Sequence, residues 1–308
     1  MTVPAEVRRA VESALRAVHG TEAGIADTAP VGGGCISPTA RVRTGDGATF
    51  FLKWGGEEAL DALLAAEARG LEALAAAQAV RVPEVVARGP AASAGSAAES
   101  PAWLLLEWLE PGDPGRGSWE RLGRELAALH RHRGERFGAA EGNFIGSLRQ
   151  ENDPSEDWAA FWRDRRLEPQ LRMAIDAGFL GDRDRRAFDR LFGRLDELLA
   201  PATDDGPSLL HGDLWSGNVH MMADGTPAII DPSVYHGHRE VDLAMAELFG
   251  GFAPAFRHAY QEAWPLAAGY RSARRAVYQL YYLLVHVNLF GAGYVGRTRG
   301  ALESVGVR

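Results

Sequence analysis

Apolar positions along the first third of the chain follow two different periods. Val7, Val11, Leu15 and Val18 recur at helical spacing over residues 4 to 18, and Pro4 sits near the start, where proline is tolerated. Thr39 to Arg43 and Ala48 to Trp54 read as two strands joined by Gly45-Asp46-Gly47, which predicts a hairpin. Residues 57 to 78 predict an Ala- and Leu-rich helix with Leu60, Leu63, Leu64, Leu71 and Leu74 on its apolar side. Val82 to Ala87 and Trp103 to Trp108 predict further strands, separated by the small, polar, aperiodic stretch Pro90 to Pro101, a mobile loop. Glu110-Pro111-Gly112-Asp113-Pro114-Gly115 then breaks any regular structure and marks the expected boundary between residues 1–110 and 111–308.

Beyond the boundary the period is helical. Ser118 is the expected N-cap of a helix carrying Trp119, Leu122, Leu126 and Leu129. Residues 156 to 176, 184 to 199, 240 to 249, 254 to 263 and 272 to 290 predict further helices. Ser208 to Leu210 predicts a short strand running into a loop at His211. Val219 to Met222 and Pro227 to Ile230 predict a small hairpin around Asp224-Gly225. A strand-rich first third, a breaker and a helical remainder give an α+β, two-lobed fold: an N-terminal antiparallel sheet with one main helix, then a mainly helical lobe.

Composition narrows the function classes. With 308 residues, 46% hydrophobic and 24% charged, the chain matches an ordinary globular protein. A net charge of −8 and the lack of a basic stretch argue against nucleic acid as a partner. The richest apolar run, Val277 to Phe290, is interrupted by Gln279, His286 and Asn288 and is shorter than the roughly 18 residues of a membrane helix. No signal-peptide pattern is visible at the N-terminus, so the expected compartment is the cytoplasm. Cys35 is the only cysteine, which excludes an intramolecular disulfide and a cysteine-built zinc site. Lys53 is the only lysine in a chain with 33 basic residues. Arginine codon bias explains the missing lysines; a phosphate slot that needs a compact point charge explains the one retained.

Four groups fit phosphoryl transfer, in a consistent order. Gly32-Gly33-Gly34-Cys35-Ile36-Ser37 is a candidate phosphate cradle, because backbone N–H groups approach phosphate closely only where side chains are absent. Lys53 ends a strand and is the candidate cation. Glu67 on the next helix is its candidate partner, with Glu57, Glu58 and Asp61 as competitors. Asp213 and Asn218 lie five residues apart in His211-Gly212-Asp213-Leu214-Trp215-Ser216-Gly217-Asn218, and Asp231 follows the apolar strand Ala228-Ile229-Ile230. Asp213 can accept or orient the proton of a substrate hydroxyl, while Asn218 and Asp231 offer hard oxygens to Mg²⁺.

At these residues the chain resembles the protein-kinase-like phosphotransferases that act on small molecules, and within them the fructosamine kinase (ketosamine-3-kinase) family. Besides the segments above, the resemblance rests on Phe51-Leu52-Lys53, Ala66 to Leu71, Leu104 to Leu109, Asn143-Phe144-Ile145-Gly146, Gln150 with Asn152, Ile230 to Met245 and His286 to Gly291. It implies a protein-kinase-like fold using ATP and Mg²⁺. Asp213 would be the base, Asn218 and Asp231 the metal ligands, Lys53 the phosphate contact paired with Glu67, and Glu107, Trp108 and Leu109 the hinge beside adenine. The implied reaction is phosphorylation of the 3-hydroxyl of a ketosamine, leading to deglycation. Ser37-Pro38 departs from the family pattern, because proline fixes φ directly after the glycine loop.

Other residues have more open roles. Trp215 either stacks on the sugar or plugs the lobe core. His236, His238 and Arg239 are expected near the acceptor. Asp242 is expected to brace the catalytic loop. His211, His286 and Asn288 read as satisfied buried residues rather than ligands. Cys35 is a candidate for a redox-sensitive homodimer, which the resemblance also suggests. Two other functions compete: an aminoglycoside- or amino-alcohol-type phosphotransferase, and a nucleotide-binding regulator without turnover.

Overall fold

The computed structural model describes residues 2–20, 24–32, 37–56, 58–89 and 101–306. Gly33, Gly34, Cys35 and Ile36 of the glycine loop, Glu57 and the 90–100 stretch lie outside the described residues.

The first lobe is built on a five-stranded antiparallel sheet. Its strands are β1 (Ile25–Pro30), β2 (Thr39–Thr44), β3 (Thr49–Gly55), β4 (Val85–Gly89) and β5 (Ala102–Glu107), in the order β1-β2-β3-β5-β4. The predicted β2–β3 hairpin closes through Gly47, at φ +92, whose N–H donates to Thr44 O. Helix α1 (Ala5–His19) covers one face with Val7, Val11 and Leu15 against Val42, Leu52 and Leu105. Helix α2 (Glu58–Ala76) packs Leu60, Leu64, Leu71 and Leu74 with Leu104 and Leu106. Alternation along β3 therefore sends Phe50, Leu52 and Trp54 toward α1, and Phe51 and Lys53 to the other face.

The second lobe is mainly helical: α3 (Ser118–His130), α4 (Trp158–Phe161), α5 (Glu168–Asp176), α6 (Asp182–Phe192), α7 (Leu195–Thr203), α8 (Glu240–Leu248), α9 (Pro254–Ala263), α10 (Arg275–Phe290) and α11 (Val295–Ser304). Three two-stranded ribbons interrupt it: β6 (Asn143–Ile145) with β7 (Leu148–Gln150), β8 (Ser208–Leu210) with β11 (Tyr235–Gly237), and β9 (Val219–Met221) with β10 (Pro227–Ile229).

Several expectations need correction. Ser118 is the first helical residue rather than the N-cap; Gly117 (φ +85) holds that position, and the Ser118 hydroxyl donates to Gly225 O. The helix expected over 156–176 widens at Trp162–Leu167 before α5. Pro169 lacks the N–H that would bond Arg165 O, and the Arg166 side chain donates to that carbonyl instead, at 3.0 Å. The helix expected over 184–199 breaks at Gly193 into α6 and α7. Strand β4 begins three residues later than Val82, and β1, β6, β7, β11 and α11 had no predicted counterpart.

Candidate active site

Lys53 is 8% exposed and meets two carboxylates from different elements. Its Nζ donates to Glu67 Oε1 at 2.8 Å and to Asp231 Oδ1 at 2.6 Å. Burial alone would lower the ammonium pKa; Glu67 and Asp231 outweigh it and raise the value. Burial pushes Glu67 up to about 7 against the pull of Lys53, since Asp231 shares the same cation. Asp231, in contact with Lys53, stays below the usual carboxylate range despite its partial burial. The three groups meet because α2 approaches the segment after Asp231 closely at Gly70. A Cβ there would lie 3.2 Å from Pro232 Cγ and 3.2 Å from Val234 Cγ2.

Strand β8 leads into the 211–218 loop, and buried groups fix its backbone. Asp242 on α8 accepts from His211 N at 2.8 Å and Gly212 N at 2.9 Å. His130 Nε2 lies 3.1 Å from the same carboxylate and Nδ1 lies 2.8 Å from Tyr260 OH. Because a carboxylate only accepts, Nε2 carries the proton and Nδ1 accepts from the tyrosine. Burial would raise Asp242, but His130 and the loop N–H groups hold it ionised and below its ordinary value. His211 is enclosed: Nδ1 accepts from Asp213 N, and Nε2 donates to Ile230 O at 2.9 Å. Tyr282 OH donates to Gly212 O at 2.7 Å, tying α10 to the loop.

Asp213, half-buried, faces the cleft. Burial, then the negative charge of Asp231, push its carboxyl up to about 7, against a hydrogen bond from Asn218. Asn218 Nδ2 donates to Asp213 O at 2.9 Å, which leaves Oδ1 as the free acceptor. Asp231 holds φ +53, one of only two non-glycine residues with positive φ among those described. That conformation costs roughly 1–3 kcal/mol and is tolerated where surrounding structure enforces it. Asn218 Oδ1 and the Asp231 carboxylate suit Mg²⁺, which takes one or two carboxylates and leaves its other positions to phosphate and water. Among the described residues no three His, Cys, Asp or Glu side chains form an all-protein cage.

A cavity of about 820 Å³ joins these groups between the lobes. On one side lie Gly32, Ser37, Lys53 and the Glu107-Trp108-Leu109 segment. The base of the glycine loop is closed by Thr39 Oγ1 donating to Val31 O at 2.7 Å. On the other side lie Phe144, Phe249, Tyr282, His286, Phe290 and Tyr294. Trp215 is 41% exposed at this mouth, so it does not plug the core. Its indole lies over Gly217, where a Cβ would come within 2.2 Å of the ring. His286 lines the cavity, against expectation, with ring centroids 4.6 Å from Phe249, 4.9 Å from Tyr294 and 5.3 Å from Phe290. Sequence reading assigns no cleft role to Phe290, which ends the apolar run yet is 58% exposed, or to Tyr294, four residues on and outside α10.

Three expected acceptor contacts are displaced. His238 and Arg239 are each 1% exposed and point away from the cleft toward Asp205, with Arg239 Nε 2.7 Å and His238 Nε2 3.2 Å from Oδ2. Arg239 also donates to Trp264 O and Pro265 O. His236 packs over Gly134 and does not line the cavity. The reason is the β8–β11 pairing, which turns the chain after Asp231 back into the lobe before α8 starts. Asn288 is a structural residue, donating to Gln170 O and Oε1.

Comparison with known proteins identifies the family. The fructosamine kinase family model matches residues 7–306. A probable ketoamine kinase of Enterococcus faecium is 38% identical over 89% of this chain and 94% of its own. The chloroplastic protein-ribulosamine 3-kinase of Arabidopsis thaliana is 38% identical over 86% of this chain and 78% of its own. The solved structure of a Thermobifida fusca protein assigned as a fructosamine-3-kinase superposes with a TM-score of 0.84 at 35% identity, covering 96% of this chain and 98% of that one. An aminoglycoside phosphotransferase solved with ADP and hygromycin B, at 19% identity and a TM-score of 0.60, shares the fold. From its matched length, its relatives and its kinase-like fold, this chain belongs to the fructosamine kinase family.

Proposed function

We propose that the protein is an ATP-dependent ketosamine 3-kinase with Asp213 as its base. The observation that carries this reading is the convergence, in one cleft, of Asp213, Asn218, Asp231 and the buried Lys53–Glu67 pair beside an aromatic acceptor pocket. Lys53 contacts the nucleotide phosphates, and Glu67 keeps its ammonium in place. The backbone of Glu107 to Leu109 borders the adenine. Asn218 and Asp231 hold Mg²⁺, which supplies charge neutralisation on the phosphates when bound. Asp213 takes the proton of the attacking hydroxyl, and its raised pKa keeps it a competent base near neutral pH. Trp215 and the aromatic wall receive the sugar and its amine substituent. Relatives named ketoamine kinase and protein-ribulosamine 3-kinase support a ketosamine acceptor. Phosphorylation at O3 would lead to release of the amine, hence deglycation.

ADP formation with Mg²⁺ and ribulose-lysine or fructose-lysine, with the phosphate located by phosphorus NMR, tests the proposal. Turnover with an aminoglycoside and none with either ketosamine overturns it. The same reading includes a redox-sensitive homodimer: with one cysteine per chain, a disulfide through Cys35 has to join two molecules. One monomer band for oxidised protein, with and without reductant, overturns that part. No helix is long and apolar enough to cross a membrane among the described residues, in keeping with action in the cytoplasm.

A further inference from the structure

The β6–β7 hairpin forms part of the acceptor side of the cleft through Asn143, Phe144, Ile145 and Gly146. Its strands are only three residues each, too short to hold a position alone. Side-chain amides hold it instead. Asn143 Oδ1 accepts from Gln150 Nε2 at 2.7 Å and from Asn152 Nδ2 at 2.9 Å. Asn143 Nδ2 donates to Val234 O at 2.9 Å, three residues past Asp231. A second tie runs beside it, from Ser233 Oγ to Phe144 O. Behind the amides lies Arg166, 0% exposed, whose Nη2 donates to Asn152 Oδ1 at 2.6 Å. Its Nη1 donates to the carbonyls of Glu151 and Arg165, its buried Nε has no hydrogen-bond partner among the described residues, and its guanidinium lies 4.0 Å from the Tyr235 ring centroid and 4.7 Å from that of Phe161.

A buried guanidinium with only neutral partners gains little net stability, because taking its charge out of water is expensive. What the arrangement does provide is direction. Every hydrogen-bonding atom of the Asn143 amide is engaged, and the amide can satisfy its two donors and its one acceptor in only one orientation.

We propose that the β6–β7 hairpin is the platform on which the acceptor lies. Asn143 is the positioning residue that sets its distance from the Asp231 segment, and Arg166 is the buried anchor of the amide chain. This rests on the ketosamine kinase reading and adds to it a cause for the acceptor's placement.

Asn143→Asp is the informative substitution. The carboxylate still accepts from Gln150 and Asn152 but cannot donate to Val234 O. The expected result is an acceptor KM raised about 10-fold or more, because small misplacements of a reacting group are costly, with the KM for ATP unchanged within about twofold. Arg166→Met leaves the buried Asn152 Oδ1 without its donor, so it should lower the melting temperature while raising the acceptor KM in the same direction and leaving the KM for ATP unchanged within about twofold. A role in stability alone would move both KM values together with the melting temperature, or neither, and either pattern overturns the proposal. Hydrogen exchange provides a readout without any acceptor. In Asn143→Asp the amides of 143–150 and of 233–234 should exchange faster while those of β2 and β3 do not; unchanged exchange overturns the proposal. If wild type turns over no ketosamine, the functional reading fails, while the exchange result still decides the role of Asn143.

Discussion

Asp213 and Asp242 both belong to the 211–218 loop and its support, and their surroundings push them in opposite directions. Asp242 is fully buried, accepts two backbone N–H groups and the His130 imidazole, and is held ionised. Asp213 faces the cleft with a long hydrogen bond of 3.3 Å from Asn218 Nδ2, has Asp231 as a charged neighbour, and is pushed up to about 7. Complete hydrogen bonding makes a carboxylate a structural brace. Incomplete hydrogen bonding beside like charge leaves one able to exchange a proton near neutral pH, as the proposed base must.

The largest effect should come from exchanging the charge at the cleft. Asp213→Asn is expected to cost about 10²- to 10⁴-fold in kcat, with ATP affinity nearly unchanged by isothermal titration. The same change should leave thermal stability at pH 8 equal or higher. The sign follows from linkage: a carboxyl whose folded pKa exceeds its unfolded value loses stability as pH rises between them, roughly from 4 to 7 here, and the amide removes that loss. A clear fall in melting temperature at pH 8 would place Asp213 with Asp242 as a brace.

Asp242→Ala should show the reverse emphasis. It strands two buried N–H groups and the His130 donor, at a cost on the order of 3–5 kcal/mol in a denaturant titration. Stability near wild type would break the comparison.

The titration of the base sharpens it further. Only ionised Asp213 accepts a proton, so kcat/KM for the acceptor should rise with pH and level off above about 7. A profile flat from pH 5.5 to 8 would contradict this.

The smallest effect concerns Asp205, which His238 and Arg239 hold down at about 2 despite partial burial. Its contribution is present above the unfolded carboxyl pKa and is lost as pH falls through about 2. Asp205→Asn should flatten stability against pH between roughly 2 and 4, with kcat/KM near neutral pH little changed. A large loss of acceptor affinity instead would restore His238 and Arg239 as substrate contacts.

Much of this site was legible because chemistry and periodicity coincided. Lys53 at the end of an alternating strand, and Asp213, Asn218 and Asp231 around short apolar strands, carry their spacing in the chain itself. Strand β1 was not legible. Only Ile25 of Ile-Ala-Asp-Thr-Ala-Pro is buried, so an edge strand held by pairing with β2 has almost no alternation to read. The hairpin at 143–150 escaped for a related reason: its strands are short and its order comes from side-chain amides. His286 was read as a core residue because its helix is apolar; the end of α10 emerges from the core into the cleft.

By itself the sequence determined the β2–β3 hairpin, most of the longer helices and the placement of Lys53, Asp213, Asn218 and Asp231 beside short apolar strands, because each depends on spacing within a few residues. Tertiary structure alone decided which side chains share the cleft. The β8–β11 pairing turns His238 and Arg239 inward to Asp205, and Asn143, which accepts from Asn152 in front of Arg166, donates to Val234 O. Such choices depend on where burial leaves a polar group its only available partner, and that partner can lie more than 90 residues away along the chain, as Val234 does from Asn143, 91 positions apart.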